Sequence, residues 1–434
     1  MNERHALRGM ILHFTDDPGV DDTPRDGSCH FYPDGLVVIE NGLIVRCGSA
    51  AELLTTLPDD TAVSHYPGQL IMPGFIDPHL HYSQLDIMAS YGRQLLDWLQ
   101  TYTFPEESRL NQRAYADDIA RAFIEQMLAN GVTSALAFCT SHPHSVDALF
   151  EAAAPFDLRL LAGKVMMDRH APPALCDTAE RGERDSRALI ERWHGRGRFE
   201  VAITPRFAPT SSPAQLAATQ RLADDYPGLV IQTHLAENRN EVAWVGELFP
   251  AERDYLAVYE RFGLVRPRAI FAHGIHIDDE VRARLADAGG AIAFCPSSNL
   301  FLGSGLFDWH AARRRGVSVA IASDIGGGPG LSPFTTLADA YKVSQLTDQP
   351  LTPWQAFYAH TLGNARTLGI DGFVGSFEPG READIVILDP AATPMLARKE
   401  RRAPAPAERL FNLMMLGDER CVTATRIKGR KVFG

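Results

Sequence analysis

The chain has 434 residues, of which 45% are hydrophobic and 22% charged, and its formal net charge is −12. Such a composition is typical of a globular protein with a sizeable core, and the acidic balance argues against a basic groove for nucleic acid. No apolar run reaches the roughly 18 residues of a membrane span, so neither nucleic acid nor membrane is expected as a partner. The N-terminus shows no signal-peptide pattern, and six scattered cysteines without a C-x-x-C pair predict reduced thiols in a cytoplasmic protein.

Both ends of the chain carry β-strand patterns. Runs 35–40 and 43–48 flank Asn41-Gly42, which is the strongest short hairpin signal between β-branched segments. Three further strands are predicted near the C-terminus, at 380–389, 422–428 and 431–433. Because three short strands are too few to fold alone, we predict one small β-sandwich domain built from residues 1–69 and 373–434.

The stretch Leu70–His81 is an apolar run that passes Pro73-Gly74 and ends in two histidines one residue apart. In extended backbone, residues i and i+2 lie on the same face, so His79 and His81 point the same way. Two converging imidazoles make half of a metal site. The ordinary alternative is a pair of unrelated polar residues in a loop.

Residues 70–372 alternate between strand and helix patterns. Eight strands are predicted, at 70–81, 132–138, 158–166, 200–206, 229–234, 269–275, 291–296 and 318–324. Helices are predicted between most of them, among others at 111–130, 145–154, 177–195, 278–289 and 308–316, whereas 82–108 reads as irregular and rich in aromatics. Eight successive β-α units favour a closed parallel (β/α)8 TIM-type barrel of the α/β class. A doubly wound open sheet is the alternative.

Barrel enzymes place their active site at the C-terminal ends of the strands. Metal-competent or charged residues stand at those ends in five of the predicted strands: His79 and His81, Arg206 with Phe207, His234 followed by Glu237, His273, and Asp324. Each has an ordinary explanation by itself, such as a surface histidine, a turn aspartate or a first-turn acid of a helix. A closed barrel brings all of them into one mouth, which favours a shared site.

Neutral imidazoles and one carboxylate suit Zn²⁺, which needs few protein ligands and an open position for water. We predict that His79, His81, His234 and Asp324 hold one zinc ion per subunit. The metal would lower the pKa of bound water to about 7 and supply hydroxide. Asp324 would take the proton that this water loses. His273 would orient the hydroxide and stabilise the charge that develops as it attacks. Glu237, three residues beyond a ligand, is predicted to carry a proton to the substrate and then to the leaving group.

Other catalytic motifs are absent from the sequence. There is no H-E-x-x-H helix, no G-x-S-x-G elbow and no H-x-E with P-C-x-x-C, the signature of one class of zinc enzymes that act on nucleobases. The glycine-rich run 326–330 has the spacing of neither a dinucleotide site nor a P-loop and is interpreted as a tight βα loop.

The set P-G-F-I-D-x-H-x-H with the later His, His and Asp resembles the amidohydrolase superfamily over the whole chain. Longer motifs resemble the guanine deaminase family within it, at 81–84, 162–169, 204–212, 233–238 and 294–307. The resemblance implies zinc-dependent hydrolysis of guanine to xanthine and ammonia, by attack of metal-bound hydroxide on the amine-bearing carbon, and a homodimer. It also implies that Gln84, Arg206 and Phe207 contact the purine, beside His234, Glu237 and Asp324.

Two alternatives to a guanine deaminase stay open at this point. The first is a related amidohydrolase that deaminates another aminopurine, a pterin or a triazine. The second is a non-catalytic scaffold with a closed structural zinc site, which would have no use for Glu237. Pro78 and the run 326–330 depart from the family pattern, which often has Thr at the first position and small hydroxyl residues in the second.

Overall fold

A computed structural model describes residues 4–92, 94–349, 351–402 and 405–434. Its strands, numbered in chain order, are β1 (Arg4–Phe14), β2 (Cys29–Glu40), β3 (Leu43–Ser49), β4 (Ala62–Pro73), β5 (Phe75–His81), β6 (Val132–Phe138), β7 (Arg159–Gly163), β8 (Val165–Met166), β9 (Phe199–Val201), β10 (Thr204–Pro205), β11 (Ile231–Leu235), β12 (Ala269–His273), β13 (Ala291–Phe294), β14 (Ser318–Ile321), β15 (Ile385–Leu388), β16 (Val422–Ile427) and β17 (Arg430–Phe433).

The α-helices are Ala50–Leu53, Leu95–Trp98, Phe104–Arg109, Arg113–Ala129, Pro143–Ala153, Ala179–Trp193, Pro213–Asp225, Arg239–Leu248, Tyr255–Arg261, Asp279–Asp287, Pro296–Phe301, Trp309–Arg314, Pro333–Leu346, Pro353–Tyr358, Asn364–Leu368, Pro394–Glu400 and Pro406–Leu416. Short 3₁₀ turns lie at Leu54–Thr56, Tyr82–Ile87, Ala154–Phe156, Ala208–Thr210 and Glu419–Cys421, and π turns at Leu99–Thr103 and Ala359–Gly363. Among the described residues, no helix is both long and apolar enough to cross a bilayer.

Strands from both chain ends form one seven-stranded sheet in the order β17-β16-β15-β4-β1-β2-β3. The predicted hairpin is confirmed, because Glu40 pairs with Leu43 and both Asn41 and Gly42 have positive φ. The outer strand β3 bends back toward the C-terminal half, where Leu43 bridges Glu382. One face of the sheet buries aliphatic side chains of both halves, so neither terminal segment has a complete core alone.

The barrel consists of two four-stranded parallel sheets, β5-β6-β7-β9 and β11-β12-β13-β14. A parallel bridge between Ile203 and Ile231 joins them on one side. On the other side Asp324 N donates to His79 O at 3.0 Å, and His81 N donates to Ile325 O at 3.2 Å. The eight strands therefore form a closed ring, as the alternation of strand and helix patterns predicts.

The predicted first barrel strand is divided in the structure. β4 belongs to the terminal sheet and β5 to the barrel, and Gly74 separates them. A Cβ at Gly74 would lie 2.2 Å from Thr133 Oγ1, so only glycine fits where the chain passes between the two sheets. The expectation of one continuous strand over 70–81 was wrong at this residue.

The segment 82–108, expected to be irregular, is built from a 3₁₀ turn, two short α-helices and a π turn. It buries Trp98 and Phe104 against Phe207 and Leu302. Aromatic side chains without a regular period hid these short helices from the sequence pattern. The segment covers the C-terminal mouth of the barrel and forms one wall of the pocket described next.

Candidate metal centre and substrate pocket

Five side chains converge at the C-terminal mouth of the barrel. β5 ends in His79 and His81, β11 carries His234, β12 ends in His273, and Asp324 follows β14 by three residues. All five are buried. The strand ends thus meet as expected for a (β/α)8 barrel.

Four of these residues have the spacing of a metal ligand set. His79 Nε2 and His81 Nε2 lie 3.3 and 3.6 Å from Asp324 Oδ1, and His81 Nε2 lies 3.1 Å from His234 Nε2. Donor atoms at the corners of a tetrahedron around an ion with bonds of 2.0–2.2 Å are roughly 3.3–3.6 Å apart. The side chains are therefore arranged to hold one small divalent cation.

The hydrogen bonds of the histidines support the same conclusion. His234 Nδ1 lies 2.7 Å from the Arg206 carbonyl and donates to it, which leaves the lone pair on Nε2 directed at His81. Within the described chain, both ring nitrogens of His79 and Nδ1 of His81 are buried without a hydrogen-bond partner. Buried polar atoms rarely lack a partner, and a metal ion supplies one for the nitrogens that face the centre.

Burial keeps the three histidines neutral. The pKa values of His79, His81 and His234 are all held well below the ordinary value, first by loss of solvent and then by neighbouring positive charge, including that of Arg206. A neutral imidazole is the form that binds a metal. Phe138 contacts all three rings and contributes an apolar wall to this centre.

Cys295 also lies at this centre, although the sequence did not single it out. Its Sγ groups with ligand atoms of His79, His273 and Asp324 that all lie within 4.8 Å of one another. Burial and the nearby carboxylates raise the pKa of this thiol well above its ordinary value. Because the thiolate and not the thiol is the metal-binding form, the three histidines and Asp324 are the better ligand set.

The backbone is strained where it supplies the site. His273 has φ 71° and Asp324 has φ 50°, both in the left-handed region that non-glycine residues seldom adopt. Such residues cost of order 1–3 kcal/mol each and cluster at functional sites. The strained conformations direct both side chains into the mouth of the barrel.

The glycines after Asp324 allow close contacts that a side chain would prevent. A Cβ at Gly326 would lie 2.1 Å from Gln84 Oε1, and one at Gly327 would lie 2.6 Å from Ser298 Oγ. A Cβ at Gly328 would lie 2.1 Å from the Ser323 carbonyl. The glycine run is thus a tight loop packed directly on the site, and larger residues are excluded from it.

Glu237 lies opposite the ligand set and is held at both oxygens. Ser304 Oγ donates to Glu237 Oε1 at 3.1 Å, and His273 Nε2 lies 3.3 Å from Oε2. Burial, and then the charge of Asp324, raise the pKa of Glu237 to about 8. A carboxyl whose pKa lies this close to neutral pH can both donate and accept a proton, which suits a general acid and base.

His273 is oriented by a neighbour that the sequence analysis did not identify. His273 Nδ1 lies 2.9 Å from Asn299 Oδ1, so Nδ1 carries the proton, since an amide oxygen only accepts. Nε2 then points between Glu237 and Asp324, with Asp324 Oδ2 at 3.8 Å. His273 is thus positioned to contact a group bound between these two carboxyls.

A second buried glutamate, also missed by the sequence analysis, fixes the start of the helix that follows Glu237. Glu241 Oε2 accepts hydrogen bonds from the backbone N–H groups of Glu237 and Asn238, at 2.9 and 3.0 Å, and completes a capping box. Tyr255 donates to the other oxygen at 2.7 Å. The backbone of Glu237 is therefore held independently of its side chain.

A pocket opens onto this centre, and its empty space, which is continuous with open solvent, amounts to about 400 Å³. Its lining joins the predicted residues His81, Gln84, Arg206, Phe207, His234, Glu237, His273 and Asp324 with Leu95, Trp98, Leu99, Leu302 and Gly327. Mostly apolar walls with a few convergent polar groups are typical of small-molecule sites. His79 is the one predicted site residue outside the lining, because it lies behind the others with both ring nitrogens buried.

Arg206 and Gln84 share a buried partner that the sequence analysis missed. Glu107 accepts hydrogen bonds from Arg206 Nη1 at 2.7 and 2.9 Å and from Gln84 Nε2 at 2.8 Å. In the sequence, Glu107 lies outside every motif singled out above, in the segment 82–108 that was expected to be irregular. Gln84 lines the pocket as expected, and its amide nitrogen donates one hydrogen bond to Glu107.

Comparison with known proteins adds independent information. Residues 70–432 match the amidohydrolase family. The guanine deaminase of Escherichia coli (strain K12) is 45% identical over 435 residues, which cover 100% of this chain and 99% of that protein. The structure of the E. coli guanine deaminase superposes with a TM-score of 0.95 over 99% of both chains. A guanine deaminase from C. acetobutylicum, solved with guanine in the active site, has 28% identity and a TM-score of 0.89, over 99% of this chain and 100% of that one.

The ligand set predicts a loss of metal on substitution. We expect His79→Ala to lower the metal content of the purified protein from about one ion per chain to below about a tenth, because three remaining ligands bind a divalent ion much more weakly. Elemental analysis after dialysis measures this. His65→Ala, at an exposed histidine, is the control and should keep the metal content of the parent. An unchanged metal content in His79→Ala would contradict the assignment of His79 as a ligand.

Glu237 predicts a pH dependence of stability in the metal-free protein. Its pKa in the folded protein, about 8, lies above the ordinary 4.5. Protonation of Glu237 therefore adds to the free energy of unfolding. This contribution is complete below pH 4.5 and is lost as the pH rises through 8. Glutamine cannot ionise. With a chelator present, we therefore expect Glu237→Gln to raise Tm above that of the parent at pH 9 and to have less effect at pH 6.

The exposed Glu52 serves as the matched control for this measurement, because Glu52→Gln removes a solvated carboxylate. A Tm difference between Glu237→Gln and the parent that is the same at both pH values would exclude a raised pKa at Glu237.

Proposed function

The chain belongs to the amidohydrolase family and to its guanine deaminases, and from this premise we propose that it is a zinc-dependent enzyme that hydrolyses guanine to xanthine and ammonia. One observation carries the proposal above the others. The carboxyl of Glu237, whose pKa burial raises to about 8, lines the same pocket as His81, His234, Asp324 and the Arg206–Gln84 pair. A proton donor, a metal ligand set and groups for a purine edge are what this hydrolysis requires.

His79, His81, His234 and Asp324 are the proposed zinc ligands. Their donor set of three neutral imidazoles and one carboxylate is one that zinc favours, and their spacing fits tetrahedral coordination. When bound, zinc would lower the pKa of a coordinated water to about 7 and make hydroxide available at neutral pH.

Asp324 and His273 act on the attacking water. Asp324 Oδ1 lies on the side of His79 and His81, and Asp324 Oδ2 lies on the side of His273. Asp324 can therefore accept the proton that the water loses without leaving its position. His273, held by Asn299, points Nε2 toward the same space. It can therefore hydrogen-bond the oxygen that adds to the amine-bearing carbon.

Glu237 moves protons on the substrate. It donates its proton to the ring nitrogen next to the amine-bearing carbon as water adds there, which makes the carbon more electrophilic. As a carboxylate it next takes the proton from Asp324 or the added hydroxyl and passes it to the amine. Cleavage of the carbon–nitrogen bond then releases ammonia and leaves xanthine. Water supplies the new carbonyl oxygen and two protons: one completes the released ammonia, and the other replaces the proton that Glu237 gave to the ring nitrogen.

Arg206, Gln84 and Phe207 are the proposed purine contacts. Arg206 and Gln84 offer a donor and an acceptor side by side, and Phe207 lines the pocket next to Arg206. Leu95, Trp98 and Leu99 from the covering segment close the pocket with apolar surface. Such walls exclude bulk water and strengthen polar contacts inside.

We further propose that the enzyme is a cytosolic homodimer. All six cysteines are free, as expected for a reducing compartment, and the guanine deaminase resemblance implies dimers. Sedimentation equilibrium of the purified protein should give about twice the chain mass of 47.7 kDa. A single species at the mass of one chain at micromolar concentration would contradict the dimer.

The activity itself gives a further prediction. Zinc-loaded protein should convert guanine to xanthine, followed by ultraviolet absorbance, with kcat/KM far above that for other aminopurines, pterins and aminotriazines. Glu237→Gln should lower kcat by about 10²–10⁴ while zinc content is retained, because it removes the transferable proton and no ligand.

Glu52→Gln is the control in this assay and should match the parent. Turnover of a pterin or triazine above that of guanine would overturn the substrate assignment. Undiminished guanine turnover by Glu237→Gln would overturn the role of Glu237 and leave the substrate assignment intact.

A further inference from the structure

We propose that Glu107 fixes the hydrogen-bond polarity of the Arg206–Gln84 pair and so makes the pocket select purines with a lactam edge over purines with an amidine edge. The proposal rests on the proposed function, because it names a determinant of substrate choice at the same site. Glu107 acts through Arg206 and Gln84 and is a positioning residue.

Glu107 is a fully buried carboxylate on the helix Phe104–Arg109. All its close polar contacts within the described chain are with the two pocket residues. Arg206 Nη1 donates to both of its oxygens, at 2.7 and 2.9 Å, and Gln84 Nε2 donates to Oε1 at 2.8 Å. One buried negative charge thus holds both side chains at once and neutralises the buried Arg206 guanidinium.

This contact determines which end of the Gln84 amide faces the pocket. A carboxylate only accepts hydrogen bonds, so Gln84 must turn its NH₂ toward Glu107. Gln84 Oε1 then lies on the other side, near Gly326, where a Cβ would come within 2.1 Å of it. No described residue donates to Oε1, although Gln84 lines the pocket.

Arg206 complements this acceptor. Only its Nη1 is hydrogen-bonded to protein among the described residues, so Nε and Nη2 are available to a ligand. A donor beside an acceptor matches a lactam, whose carbonyl accepts from Arg206 while its adjacent ring N–H donates to Gln84 Oε1. In guanine this lactam stands next to the amine-bearing carbon.

The amidine edge of adenine has the opposite polarity. Its exocyclic amine would face the donors of Arg206, and its unprotonated ring nitrogen would face Gln84 Oε1. Two repulsive contacts in a buried site discriminate strongly, since polar groups built for one partner are left unpaired by another. The discrimination is maintained only while Gln84 cannot rotate its amide by half a turn.

Glu107→Gln would remove that restriction. An amide at position 107 can offer either nitrogen or oxygen, so Gln84 can turn and present its NH₂ to the pocket. The exchange variant that combines Gln84→Glu with Glu107→Gln keeps the total charge and the number of side-chain atoms. In that variant position 84 again offers only acceptors, while the amide at 107 can donate to position 84 and accept from Arg206.

The experiment measures binding of hypoxanthine and adenine to zinc-loaded protein by calorimetry. Hypoxanthine has the lactam edge without the amine that the proposed reaction removes, and adenine has the amidine edge. We expect the parent to bind hypoxanthine at least about 100-fold more tightly than adenine. In Glu107→Gln we expect this ratio to fall roughly tenfold or more and KM for guanine to rise more than kcat falls, whereas the exchange variant should recover much of the ratio.

Glu106→Gln is the matched control. Glu106 precedes Glu107 on the same helix and is also buried, but its carboxylate contacts Arg109 at 2.9 Å and Tyr115 instead of the pocket pair. This variant should keep the parent's ratio of hypoxanthine affinity to adenine affinity. A loss of the ratio in Glu106→Gln as large as that in Glu107→Gln would reduce the effect to a general disturbance of the helix and overturn the proposal.

Equal binding of the two purines by the parent would overturn the proposal, as would an unchanged ratio in folded Glu107→Gln. If Glu107→Gln does not fold, the exchange variant decides, since a ratio near that of the parent supports the proposal and a ratio near one overturns it. Selective binding of hypoxanthine without guanine turnover would contradict the proposed function but not this inference. Guanine turnover with an affinity ratio that does not depend on Glu107 would contradict this inference but not the proposed function.

Discussion

The closure of the barrel between β5 and β14 is the constraint on which the site depends. Asp324 N donates to His79 O, His81 N donates to Ile325 O, and Ser323 N donates to Asp77 Oδ1 at 3.2 Å. The last contact joins residues 246 positions apart. Two of the proposed metal ligands, His79 and His81, lie on one side of this seam and Asp324 lies on the other, so the proposed ligand set exists only when the ring is closed. The strained backbone of Asp324 is held in place by the same hydrogen bonds.

Burial has opposite effects on the acids and the bases of the pocket, and both effects serve the chemistry. Loss of solvent disfavours whichever form is charged, so it keeps the histidines neutral and raises the pKa of the Glu237 and Asp324 carboxyls. Neutral imidazoles are ready to bind a cation, and a cation would compensate the buried charge of Asp324. The same exclusion of water thus acts on both the proposed metal ligands and the proposed proton donor.

The residues that support the site side chains had no individual role in the sequence analysis. Asn299 and Ser304 lie in the motif 294–307, and Glu241 lies just beyond the motif 233–238. In the structure Glu241 caps the helix after Glu237, Asn299 sets the tautomer of His273, and Ser304 holds one oxygen of Glu237. Glu107 is hidden in the same way, because the covering segment is made of short helices without a clear period.

The sequence alone determined the alternation of strands and helices, the Asn41-Gly42 hairpin and the identity of the residues at the strand ends, because these depend on local periodicity and turn chemistry. It also contained enough of the family pattern to suggest the reaction. Only the tertiary structure decided that Gly74 divides one apolar run between two sheets and that Glu107 joins Gln84 to Arg206. These features follow from contacts between residues distant in the chain, and such contacts leave no periodic trace in the sequence, since their energy arises only when folding removes water from the groups involved.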